Sequence, residues 1–132
     1  MTHPPDIALA RTVLAAQPFS ALLGARIARF GDGAAELVLD LGSDHRQQHG
    51  YAHGGVLAYL ADNAATFAAG SLLGAEVLTS GLTIEYVRPA RQGPLRAVAT
   101  VDAATTRNAV CRIEIHGPDG TCALAQARVT QR

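Results

Sequence analysis

The run from His53 to Leu73 constrains the fold more than any other part of the chain. It is apolar almost without break, rich in Ala and Leu and free of proline; Asp62, Asn63, Thr66 and Ser71 are its main polar interruptions. Such a composition predicts one helix over about 53–73, which at about 1.5 Å per residue spans roughly 30 Å, the width of a small domain. A helix that is apolar on most sides has to be covered on most sides. The stretch 56–75 is also long enough for a membrane span. An Asp at mid-bilayer would cost about 2.5–3.5 kcal/mol, so the expected setting is the interior of a soluble protein with no membrane partner.

The flanking segments supply the cover. Pro4 and Pro5 precede Asp6, and the apolar spacing of Ile7, Leu9, Val13 and Leu14 predicts an N-terminal helix over about 6–16, with Phe19–Leu23 as a short apolar turn. Ala25–Phe30 reads as a strand, Gly31-Asp32-Gly33 as a hairpin turn, and a second strand follows in which Leu37, Leu39 and Leu41 alternate with Glu36, Val38 and Asp40. Residues 42–52 read as an irregular polar loop. After Gly74 the pattern is all strand: 76–87, 95–105, 109–116 and 121–130, the last two joined by Gly117-Pro118-Asp119-Gly120. Two strands, one long buried helix and four strands predict an α+β fold in which a curled antiparallel sheet wraps the helix. At 132 residues this is a single domain, 1–132.

Charge narrows the partners. Eleven arginines balance eleven acidic residues, and nucleic acid is not expected as a partner, because phosphate binding needs a basic excess. Cys111 and Cys122 lack metal-ligand spacing and are read as reduced thiols of a cytoplasmic protein. The N-terminal Met-Thr-His-Pro-Pro-Asp lacks the basic and apolar regions of a signal peptide. His45, His49 and His53 recur every four residues, but the glycines among and just after them make a helical row of metal ligands implausible, so no metal and no cofactor is expected.

His53-Gly54-Gly55 at the start of the central helix offers backbone N–H groups to a ligand that can come close. Asp62, set within the apolar run, is expensive to bury without a purpose. An electrophile-polarising helix start and a buried base are the parts of a hydrolytic site. This order, with a carboxylate nine residues after the His and Tyr86-Val87-Arg88-Pro89-Ala90 beyond it, resembles the hotdog-fold acyl-CoA thioesterases, most closely the phenylacetate-pathway and 4-hydroxybenzoyl-CoA branches, over residues 18 to 130.

The resemblance implies that the Gly54 amide polarises the thioester carbonyl and that Asp62 attacks it or activates water. It further implies that Gln47, six residues before the His, contacts the reacting group, that Thr66 assists Asp62 from one turn on, and that Arg107 occupies a basic turn position of the relatives. In such relatives Gln in the loop accompanies Glu on the helix and Asn accompanies Asp; this chain pairs Gln47 with Asp62. His53 is read as fixing the loop. Gly55, Tyr51, Tyr59 and Phe67 are candidates for contacts with the acyl group, and Arg88, Arg91 and Arg107 for the coenzyme A phosphates.

Gly54 and Asp62 are eight residues apart, about 12 Å along a helix, whereas a nucleophile and an oxyanion donor acting on one carbonyl must both lie within about 3–3.5 Å of it. One subunit cannot supply both. Two antiparallel copies of the helix can, which predicts a homo-oligomer with shared sites, and the resemblance implies a dimer of dimers. The expected activity is hydrolysis of an aryl- or medium-chain acyl-CoA. The alternatives are an acyl-thioester hydratase or dehydratase, for which His53 is poorly placed, and a non-catalytic acyl-CoA binding protein, which gains nothing from a buried Asp62.

Overall fold

The computed structural model describes residues 5–132. Met1–Pro4, the start of the segment read as lacking signal features, lie outside the described residues. Helix α1 (Ile7–Ala16) and a short helix α2 (Pro18–Leu23) lead into strands β1 (Arg26–Gly31) and β2 (Ala34–Leu39). Helix α3 (Gly54–Leu73) follows, then β3 (Val77–Tyr86), β4 (Leu95–Ala104), β5 (Asn108–Gly117) and β6 (Gly120–Gln131). The six strands form one antiparallel sheet in the order β1-β2-β4-β5-β6-β3. The sheet curls around α3, which packs against all six strands. This is the hotdog arrangement.

Small side chains let helix and sheet approach closely. Ala61, Ala64, Ala65, Ala68 and Ala69 on α3 are fully buried, and so are Ala97 and Ala99 on β4 and Ala123 on β6. Larger residues fill the remaining gaps: Leu60 from the helix, and Leu37, Leu39, Leu95, Ile113 and Ile115 from the sheet. Period-two burial is clear on β5, where Ala109, Cys111, Ile113 and Ile115 face inward. It fails on β2, where Val38 is buried as well as Leu37 and Leu39. α3 is long and apolar enough to cross a membrane by length and composition, and 56% of its most apolar window is buried inside the fold.

One expectation needs correction. Phe19–Leu23 is a helix rather than a turn, because Pro18 stands at its first position and Gly24, with φ +84°, ends it. The boundary matters, since α1 and α2 together roof one face of α3 beside Asp62.

The β1 and β3 edges differ. α1 packs on β1. β3, ten residues long, carries Leu78, Leu82 and Tyr86 exposed, with Val87 just beyond it and Leu124 of neighbouring β6 also exposed. Long apolar edges of this kind are surfaces for pairing with another chain.

Candidate active site

The loop before α3 is built on its own hydrogen bonds. His45, buried, accepts from the Gly42 amide at Nδ1 (2.9 Å), and its carbonyl accepts from the His53 amide (2.8 Å). The Ala52 amide donates to the Ala90 carbonyl, tying the loop to the Tyr86–Ala90 segment (2.8 Å). Gln47 turns its side-chain carbonyl back into the loop, where Oε1 accepts from the amides of His49 and Tyr51.

His53 caps α3, and its Nδ1 accepts the Gly55 amide proton at 2.8 Å. The side-chain bond of His53 caps the helix, while its amide, on the His45 carbonyl, joins it to the loop. Gly55, taken as a substrate contact, has its N–H engaged by that cap, and a Cβ there would stand 3.0 Å from Nδ1. The Gly54 amide has no acceptor among the described residues, which leaves it as the donor at the positive end of the helix. Tyr86 leans over this point and donates its hydroxyl to the Gly54 carbonyl at 3.0 Å.

Asp62 lies two turns along, half-buried, and accepts a hydrogen bond at Oδ1 from the Thr79 hydroxyl of β3. The β3 register shifts between Thr79 and Gly81. Thr66 was expected to be Asp62's partner. Its hydroxyl instead donates to the Asn63 carbonyl (2.8 Å) and reaches Asn63 Oδ1 (3.2 Å). Thr79 escaped the sequence reading because its approach to Asp62 depends on how β3 lies against α3, which no spacing along the chain encodes.

Two cavities open on the two ends of this machinery. One, of about 450 Å³, holds Asp62, Asn63, Thr66, Tyr59, Phe67 and Thr79 under the roof of α1 and α2. The other, of about 320 Å³, gathers Gln47, Tyr51, Gly54, Tyr86 and Arg88. They share no residue. Within one subunit the Gly54 amide and the Asp62 carboxylate thus face separate spaces, as their helical spacing requires. Sequence reasoning missed Asn63, Ser20 and Gln17 in the Asp62 cavity; the polar Asn63 beside Asp62 was the one visible signal.

The three arginines do not converge. Arg88 reaches the β5–β6 turn and donates to the Asp119 carbonyl at 2.6 Å. Arg91 donates to the Tyr51 hydroxyl at 2.9 Å and lies 4.7 Å from the Tyr51 ring centroid, beside the Gly54 cavity. Arg107 sits in the β4–β5 turn, at the far end of β4 from Arg91 and so about 30 Å away by strand rise. Arg91 and Arg107 of one subunit cannot both hold one phosphate group.

The cysteines stand apart from this chemistry. Burial, and then the nearby Asp102 carboxylate, push the Cys111 thiol up to about 11, and burial also raises Cys122. Both thiols are free and protonated at neutral pH, unsuited to act as nucleophiles. Among the described residues no three His, Cys, Asp or Glu side chains gather in a way that could hold a metal ion.

Residues 49–124 match the Thioesterase superfamily. Among solved structures, a conserved Pseudomonas aeruginosa protein is similar at 31% identity and a TM-score of 0.87, over 93% of this chain and 99% of that one. A thioesterase family protein from Silicibacter pomeroyi is similar at 30% identity and 0.85, over 91% and 93%. The E. coli PaaI protein from the phenylacetic acid degradation operon is similar at 27% identity and 0.84, over 93% and 90%. No curated protein sequence matches the chain.

Proposed function

Because this chain belongs to the thioesterase superfamily, we propose that it hydrolyses an aryl- or medium-chain acyl-CoA to the free acid and coenzyme A, in a site shared between two subunits. The observation that carries the reading is the pairing on one helix of a free amide at its positive end, on Gly54, with a carboxylate facing an acyl-sized cavity, on Asp62.

The thioester carbonyl oxygen accepts from the Gly54 N–H, which stabilises the oxyanion as charge develops there. Asp62 of the neighbouring subunit approaches the carbonyl carbon, as base on water or as nucleophile. In the first route water's oxygen bonds to carbon, its proton passes to Asp62, the C–S bond breaks, and the proton ends on the departing thiol. Thr79 holds one carboxylate oxygen, so the carboxylate meets the carbonyl in a fixed orientation. Gln47 and Tyr86 flank the oxyanion end. The test is thiol release from a panel of acyl-CoAs. Double-bond formation instead would mean a dehydratase, and tight binding without either would mean a binding module.

Shared sites require assembly. Light scattering of an active preparation is expected to give at least a dimer, with the exposed apolar β3 edge as the pairing surface and a dimer of dimers as the full assembly. A monomer mass in an active preparation would end the shared-site reading.

Arg88 lines the Gly54 cavity, which supports reading it as the contact for the coenzyme tail there. It is solvent-exposed, so a phosphate contact is screened, and Arg88→Ala is expected to raise KM for the CoA thioester by up to about tenfold. Turnover of a short thioester lacking the nucleotide should be unaffected, and the penalty should shrink as salt rises. Equal losses on both substrates would point to damage around the β5–β6 turn.

A further inference from the structure

The acyl cavity contains a hydrogen-bonded chain that the hydrolytic reading does not use. Tyr59 on α3 donates its hydroxyl to Ser20 Oγ on α2 at 2.7 Å, and Ser20 donates in turn to Gln17 Oε1 at 2.6 Å. The Asn63 amide nitrogen faces Gln17 Oε1, Ser20 Oγ and Tyr59 OH at 3.1–3.2 Å. Ser20 is 2% exposed, so the chain is anchored on a buried hydroxyl, with Gln17, Tyr59 and Asn63 half-buried around it.

The direction of these bonds has a chemical consequence. Asn63 presents N–H donors to Gln17, so the Gln17 atom facing it is the carbonyl oxygen. That oxygen already accepts from both Ser20 and Asn63. Gln17 occupies the junction of α1 and α2, yet its side chain caps neither helix, and its amide N–H pair has no acceptor among the described residues. The same residue lines the cavity. What the roof offers to an occupant is therefore a donor pair, held in place by Ser20 and Asn63, which Tyr59 braces in turn.

We propose that Gln17, oriented by Ser20, Tyr59 and Asn63, is a specificity-determining residue of the acyl cavity and selects acyl groups that carry a hydrogen-bond acceptor oxygen, such as an ether or keto oxygen, on the part remote from the thioester. The proposal rests on the thioesterase reading for the identity of the occupant. An apolar acyl group of the same shape leaves the donor pair unsatisfied when it excludes water from the roof, and that difference is the source of selection.

Benzoyl-CoA thioesters carrying a methoxy group, or an isosteric ethyl group, at each of the three ring positions test it. The wild-type protein should prefer methoxy to ethyl by about three- to tenfold in kcat/KM at one ring position at least, the strength of one neutral hydrogen bond. Gln17→Glu keeps the acceptor that Ser20 and Asn63 need and removes the donors, so the ratio should fall to one or below. Gln17→Met, which removes both, should also bring it to one if Gln17→Glu does not fold. The ratio is the readout, so a general loss of activity divides out. Ratios of one at all positions in the wild type, or a preference unchanged in both variants, would overturn the assignment. If the wild type hydrolyses neither these thioesters nor any medium-chain acyl-CoA, the thioesterase reading fails on its own. The relative affinities of the methoxy and ethyl thioesters, measured by calorimetry, then decide the Gln17 subsite separately.

Discussion

Asp62→Asn is expected to fold, to bind acyl-CoA close to the wild-type affinity, and to lose about two to four decades of turnover, the usual range for removing a base or nucleophile. The amide keeps the volume of the carboxylate, and its Oδ1 can still accept from the Thr79 hydroxyl, so the anchoring to β3 survives. What disappears is the basic lone pair that takes a proton from water or attacks carbon. Single-turnover kinetics with excess protein isolates that step, and calorimetric titration of the same variant measures binding alone. A turnover within about tenfold of wild type would return Asp62 to a structural role, well outside the range for a catalytic base. A matching loss of affinity would mean that the carboxylate helps to shape the cavity rather than to perform the chemistry.

The second large effect is on stability. Leu60 is completely buried on α3 and is among the largest such side chains in the protein. Truncation to Ala removes its apolar contacts and leaves a void that the sheet, hydrogen-bonded along every strand, cannot fill by collapsing. Leu60→Ala should therefore lower unfolding stability by about 2–5 kcal/mol. Urea unfolding at fixed protomer concentration measures it, the fixed concentration being needed because assembly contributes to apparent stability. The midpoint should fall with the slope unchanged. A shift below about 1 kcal/mol would contradict the packing of this face, since exposed sites give changes of that size.

The fold was largely legible because two patterns agree. The nearly unbroken apolar run marked α3 to within a residue of the expected 53–73, and strict alternation marked β5 and the first half of β4. Alternation lost its power where the register shifts, between Val101 and Ala103, and where burial reaches both faces, at Val38. At Phe19–Leu23 the signals were local and present: Pro18 and Gly24 bracket a helix too short for apolar periodicity to show.

Within the candidate site, the residues legible in sequence are those whose positions are set along the chain. Gly54 and Asp62 owe their positions to one helix, and so does their separation; His53 caps the helix it immediately precedes. These follow from helix geometry, which is the same wherever the helix lies. Thr79 on Asp62, Tyr86 on the Gly54 carbonyl, and Gln17 with Ser20 on Asn63 join residues 17 to 46 positions apart. Which hydroxyl meets which carboxylate is decided by how the sheet curls on the helix and how α1 and α2 close over it. Those placements follow from packing many apolar side chains at once, so no single spacing in the sequence carries them.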